Sequence, residues 1–547
     1  MKPIIYQLFP RTFTNYNETR KINGSKEENG CGKFAYITPK ALKAIQDLGA
    51  THVWYTGIIR HATAEYNTPS IVKGKAGSPY AITDYFDVDP DLSTDESKRM
   101  AEFEALLRRT HKQGLKVIID FVPNHVAREY KSTCKPKGFE DLGETDHPEW
   151  AFSPLNNFYY IPGEKFAPSF DIGDYDEFPA KATGNDCFTA HPSRDDWYET
   201  VKLNYGVFYQ GGGEKQFDPI PSTWYKMMSI LSFWARKGVD AFRVDMAEMV
   251  PLEFWQWVIP NIHSFFPDIE FIGEVYNPLM YRDFIRAGFS YLYDKVGMYD
   301  YLRGVTTKAW AAEGITLHWQ TVDDIQDHML YFLENHDEQR IASGFFSGRG
   351  SNAEPAMVVA ATLGRNPVLI WAGQEVGEKG MDMEGFSGID GRTTIFDYWG
   401  VKALQAWTNH GKFDGKLLND EQKALRTFYQ RLLTIARDHS AIHSGLMYDL
   451  EYAQGEGFDR HEQFVYLRKS EDELLLIVVN FDDKEKDVAV TIPDDAFRYL
   501  KQIPLPQANA VDLLTDKALE QIAFVPNQPI SFNLPAWKGA IFQITSA

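Results

Sequence analysis

The chain has 547 residues, more than one hydrophobic core ordinarily holds, so two or three domains are expected. Acidic residues outnumber basic ones by 76 to 56, and the formal charge of −20 repels phosphate backbones and anionic lipid. That excludes nucleic acid and membrane surfaces as natural partners and suits a neutral substrate. An apolar content of 44% excludes wholesale disorder, and the three cysteines (Cys31, Cys134, Cys187) exclude a disulfide scaffold and show no metal spacing.

The N-terminal run MKPIIYQLFP reads as a strand and lacks the regions of a signal peptide. No apolar run is long enough for a membrane span. A cytoplasmic location is the expectation, and a periplasmic or secreted one requires that a leader was removed.

Short β-branched runs, apolar on both faces like buried parallel strands, then follow in series. They are IIYQLF from Ile4, THVWYTG from Thr51, LKVIIDFVPNH from Leu115, VDAFRVD from Val239, IEFIGEV from Ile269, SYLYDKV from Ser290, MLYFLENHD from Met329 and NPVLIWAGQE from Asn366. Helix candidates lie between them: PKALKAIQDLG before the second, SKRMAEFEALLRRTHKQG before the third, PSTWYKMMSILSFWARKG before the fourth. Each ends in glycine, a common helix stop. Eight strand–helix units in series predict an α/β fold, a (β/α)8 TIM barrel. A doubly wound sheet would need a Gly-rich phosphate turn after an early strand, and none is present.

Two segments break the alternation. Residues 126–206 are too long for a plain loop and read as a small domain inserted after the third strand. Beyond Ser444 the runs FVYLRK, LLLIVVNF, DVAVTI, ISFNL and GAIFQI alternate with turns and no helices, which predicts an antiparallel β-sandwich over 445–547. The barrel then comprises 1–125 and 207–444.

In such a barrel the chemistry sits at the carboxyl ends of the strands. The third strand ends with Asp120, Asn124 and His125, the fourth with Arg243 and Asp245, the fifth with Glu274, and the seventh with Glu334, His336, Asp337 and Arg340. One polar strand end commonly caps a helix, but four strands bringing acids, histidines and arginines to one rim is hard to explain as structure. Glycosidic cleavage needs a proton donor on the leaving oxygen and an anion beneath the developing oxocarbenium carbon, about 5–5.5 Å apart if the anion attacks directly. Neighbouring strands about 4.8 Å apart can deliver that separation. Asp245 and Glu274 end consecutive strands, and Arg243, on the same strand face as Asp245, can hold that carboxyl ionised.

With those motifs in place, the chain resembles the α-amylase superfamily, glycoside hydrolase family 13, over its whole length. DFVPNH, DAFRVD, FIGEV and FLENHD are similar to the family's four conserved regions, in order and on the expected strands. The resemblance implies Asp245 as nucleophile, Glu274 as general acid/base and Asp337 as the third carboxylate. It implies Arg243, His125 and His336 around the sugar at the cleavage point, with Tyr80 as the ring on which that sugar stacks. Glu248 and Arg340 are further expected substrate contacts. Asn124 matches a residue that in many members binds a structural Ca²⁺, which would need more oxygen ligands from the insertion. The loop Asn23–Phe34 resembles an acidic calcium loop of some members, but Lys33 puts a cation there, and it reads as a solvated loop.

The match departs after the nucleophile, where a family Lys-His pair is replaced by Glu248 and Met249. The insertion carries VKLN (Val201–Asn204) where a specificity motif would stand. Arg392, Tyr398 and Trp399 either line the cleft or pack a loop, with packing preferred. The expected activity is hydrolysis of α-1,4-glucosidic bonds in starch-derived malto-oligosaccharides. A transglycosylase sharing the intermediate is the alternative. A non-catalytic carbohydrate-binding protein is a third reading, opposed by the presence of every catalytic carboxylate.

Overall fold

The computed structural model describes the backbone of all 547 residues and every side chain except that of Glu520. The expected strands form a closed parallel barrel. They are β1 (Ile4–Leu8), β2 (His52–Tyr55), β3 (Lys116–Phe121), β4 (Ala241–Val244), β5 (Glu270–Gly273), β6 (Tyr291–Tyr293), β7 (Met329–Phe332) and β8 (Val368–Trp371). Each pairs with its sequence neighbours, and β1 closes on β8. One face of each strand points inward, where Ile5, Trp54, Ile118, Tyr293, Leu330 and Leu369 fill the barrel. The other face packs under the surrounding helices, which is why the strands read as continuous apolar runs.

Register positions the rim. Arg243 lies opposite Asp120 on β3 and Ile272 on β5. Val244 lies opposite Gly273, so the next residues, Asp245 and Glu274, leave the barrel side by side. The helices Pro39–Asp47, Arg99–Lys112 and Ser222–Arg236 fall where expected. Gly49, Gly114 and Gly238 follow them at φ +114°, +78° and +97°, a conformation that ends a helix without a Cβ clash.

The chain between β3 and β4 makes a long excursion zipped at its base. His125–Ala127 pairs antiparallel with Thr200–Lys202, and further out Tyr160–Ile161 pairs with Ala180–Lys181. After the barrel come antiparallel sheets of six and two strands. The run LLLIVV is buried on both faces: Leu474, Leu476 and Val478 enter the C-terminal core, while Leu475, Ile477 and Val479 join the main core, which includes the fully buried helix Glu354–Thr362.

Two local expectations change. The sixth strand stops at Tyr293, because the Asp294 carboxylate accepts the Met298 N–H at 3.0 Å and caps a π-helical turn over Lys295–Tyr299. The C-terminal region contains a helix, Asp494–Leu500, with Asp494 and Asp495 in its first turn, where the helix dipole favours acids. Among the described residues no helix is long and apolar enough to cross a membrane.

Ile118 is fully buried inside the barrel. Ile118→Ala is expected to destabilise the fold by about 2–5 kcal/mol, read from the urea midpoint of the barrel transition. An unchanged midpoint would mean the barrel interior is not close-packed there.

Candidate active site

Arg243 is the centre of the rim. Its guanidinium is fully buried. Nη1 donates to Asp245 Oδ1 at 2.8 Å and lies 3.7 Å from Asp120 Oδ1. Nη2 lies 3.0 Å from Glu274 Oε2 and 4.0 Å from Asp337 Oδ2. Nε donates to the Tyr293 hydroxyl at 3.2 Å. Aromatic faces complete the enclosure: the rings of Trp54, Tyr80 and Tyr293 lie 5.3, 5.4 and 5.6 Å from the guanidinium carbon. The sequence brings this about because β4 offers Arg243 and Asp245 on one face, two residues apart.

The third carboxylate stands across the cleft. Asp337 follows His336, whose Nε2 is 3.0 Å from Asp337 Oδ2. The His336 ring is anchored from below by the Gln7 amide, 2.8 Å from Nδ1, and it stacks on Tyr80 with centroids 5.2 Å apart. The Tyr80 hydroxyl reaches both His336 Nε2 and, at 3.4 Å, Asp120 Oδ1. The Asp337 side chain remains 44% exposed, so it is the carboxylate open to a ligand.

The charges are unequal. Burial pushes Asp245 well above the usual carboxylate range; Arg243 opposes this, and the charges of Glu274 and Asp337 add to it. Burial also acts upward on Asp337, but His336, Arg243 and Arg392 hold it down to about 2. Asp337 is therefore a standing anion, while Asp245, raised by burial, depends on the adjacent Arg243 guanidinium for its ionised form. Burial and the nearby Lys202 push His125 down to about 3, leaving a neutral imidazole edge-on to Trp197.

Several expected contacts land elsewhere. Arg340 does not reach the cleft: it is fully buried, with Nη1 on Glu334 Oε2 at 2.8 Å, Nε on Thr393 Oγ1 at 2.9 Å and Nη2 on the Ala372 carbonyl at 2.9 Å. It is a structural strut, because the chain turns after Asp337 and carries the side chain beneath β8's exit. Glu248 points at backbone rather than open cleft, its Oε2 accepting the N–H groups of Tyr276 and Asn277, both at 3.0 Å. Tyr398 and Trp399 pack as preferred, buried against Asp91 and Asp382, whereas Arg392 donates to the Asp337 carbonyl. Tyr276, Gln7 and Lys202 escaped sequence reasoning. Only VKLN gave any signal for the last of them.

Calcium does not fit the residues at Asn124. The Asn124 side-chain oxygen accepts from Lys202 Nζ, which also donates to the Met249 carbonyl at 3.2 Å and lies 2.8 Å from Asp186 Oδ1. Three oxygens satisfy the three donors of one ammonium. A divalent cation wanting six to eight oxygens would have to displace it. The Asn23–Phe34 loop behaves similarly. It is not merely solvated: Lys26 and Lys33 both reach Asp91, at 2.6 Å to its carboxylate and 2.6 Å to its carbonyl.

A closed (β/α)8 barrel that gathers three carboxylates around a buried guanidinium defines an enzyme of the glycoside hydrolase or transferase class. The family described as alpha amylase, catalytic domain, matches residues 7–473, and the chain belongs to it. Among curated relatives, Alpha-amylase 2 of Dictyoglomus thermophilum is 21% identical over 495 residues, covering 88% of this chain and 70% of the relative. Oligo-1,6-glucosidase of Halalkalibacterium halodurans is 22% identical over 564 residues, covering 87% and 89%. The fold is shared with a crystal structure of the α-amylase of Geobacillus thermoleovorans in complex with acarbose, at TM-score 0.65 and 18% identity, covering 100% of this chain and 98% of that one.

Chelation is expected to leave the melting temperature unchanged. Lys202→Met, which strands the buried Asn124 oxygen and frees the Met249 carbonyl and the exposed Asp186 carboxylate, should lower stability by about 1–3 kcal/mol. A melting temperature that falls with EDTA and recovers with CaCl2 would contradict the ammonium's role.

Proposed function

We propose that the protein is a retaining α-glucan hydrolase acting on α-1,4-glucosidic bonds of starch-derived oligosaccharides. The observation that carries this reading is the single guanidinium bridging Asp245 and Glu274, which end adjacent parallel strands. An acid and a nucleophile held side by side by one fixed cation suit double displacement better than activation of a water across a wider gap.

In this reading Glu274 protonates the glycosidic oxygen as Asp245 attacks the anomeric carbon, forming a glycosyl ester and releasing the leaving sugar. Water, deprotonated by Glu274, then breaks the ester and frees Asp245. Asp337 and His336 hold sugar hydroxyls from the opposite wall, and the buried Arg243 keeps the pair in register. Tyr80 and His125 bound the sugar at the cleavage point. Asn124 has a structural role, joining the insertion to the rim through Lys202. The family includes relatives named for both amylase and oligo-1,6-glucosidase activity, so bond choice is the finer part of the proposal.

Proton NMR of the first-formed product from maltoheptaose should show the α-anomer, and a β-anomer would overturn the retaining mechanism. Products longer than the substrate would redirect the reading to a transglycosylase, and turnover of isomaltose in preference to maltoheptaose would redirect the bond. Asp245→Asn is expected to lose roughly 10⁴-fold or more in kcat while melting near the parent temperature. Near-parent turnover would remove Asp245 from the role.

A further inference from the structure

Glu274 is held on both of its oxygens, and the partners come from different strands. Oε2 accepts the backbone N–H of Met246 at 2.8 Å, on the turn that follows Asp245, and faces Arg243. Oε1 accepts the hydroxyl of Tyr276, two residues further along its own loop. β5 ends at Gly273, so nothing in the sheet fixes where that tyrosine goes. What fixes it is Glu248. Its Oε2 takes the N–H groups of Tyr276 and Asn277 together. Glu248 sits in the short helical turn Ala247–Met249, immediately beyond Met246.

The two catalytic loops are thus laced in both directions. The backbone of the loop after β4 donates to the carboxylate of β5, and a carboxylate of the loop after β4 accepts from the backbone beyond β5. Each bond is charge-assisted, the stronger class of hydrogen bond. Met246 adopts φ +43°, a left-handed conformation that costs a side-chain-bearing residue free energy and that this lacing helps to hold.

We propose that Tyr276 is a positioning residue for the Glu274 carboxyl and that Glu248 acts through the loop backbone to keep it there, so Glu248 serves the acid/base rather than the substrate. The proposal rests on Glu274 being the proton donor. A hydroxyl that donates to a carboxylate favours its ionised form and fixes which lone pair is free to carry the proton. The charged and titratable groups around Glu274 are Arg243 and Asp245 from β4, Asp337 and His336 from beyond β7, Tyr293 from β6 and Tyr276 itself. Of these, Tyr276 is the neutral group that donates directly to Glu274, so its hydroxyl can be removed without taking a charge from the cluster.

The test is the pH profile of kcat/KM on an aryl α-maltoside whose phenol departs faster with acid help but still measurably without it. Tyr276→Phe should move the alkaline limb up by about one to two units, the worth of one hydrogen bond to a charged group. Glu248→Ala should move it the same way. Glu248→Gln, whose amide oxygen can still accept the two N–H groups, should keep the parent limb. Glu274→Gln is the control and should abolish the limb. A limb that persists in Glu274→Gln would sink the reading of Glu274 as donor. A limb lost there but unmoved in Tyr276→Phe, or a Tyr276→Phe effect confined to KM, would overturn the role of Tyr276 and make it a sugar contact.

Discussion

The Arg243 guanidinium has no exposed surface, and the carboxylates of Asp120, Asp245 and Glu274 come within 3.7 Å of it. A buried cation costs several kcal/mol in lost hydration, and only well-placed anions offset that. Arg243 therefore commits three adjacent strands to one arrangement. β3 supplies Asp120, itself tied to the Trp54 indole at 3.2 Å and the Gly57 N–H at 3.0 Å. β4 supplies Arg243 and Asp245, and β5 supplies Glu274. Removing the cation would leave buried carboxylates facing one another, and the rim could not keep its geometry.

A second set of bonds secures the loops that leave those strands. The turn after Asp245 is held from two sides. Met249 gives its carbonyl to Lys202 in the insertion, and Glu248 grips the backbone of the loop beyond β5. Lys202 also reaches Asn124 after β3 and Asp186 in the insertion. The insertion thus reaches the loop after Asp245 through an ammonium, a fixed link that does not depend on ion supply. In a chain of net charge −20, internal cations balance acids that face the same small volume.

The barrel was legible because its strands are apolar on both faces and its polar residues fall at strand ends, both local properties of sequence. The excursion between β3 and β4 was visible by its length alone. Arg340 was misread because a strand-end position looks the same whether the following turn lifts the side chain into the cleft or folds it beneath. Glu248 was misread because its partners are backbone N–H groups, which carry no residue signature. Lys202 needed three segments far apart in sequence to meet before its role could be seen. The helix Asp494–Leu500 was hidden by its shortness, about two turns inside a run of strands.

The most direct measurement is peptide mass spectrometry of the enzyme after incubation with 5-fluoro-α-D-glucosyl fluoride. This sugar forms the glycosyl ester readily and loses it slowly, because fluorine destabilises the oxocarbenium-like transition state. The label should lie on the peptide containing Asp245, at that residue. A label on Glu274 or Asp337 would contradict the assignment, and fluoride release with no covalent label would contradict the double displacement itself.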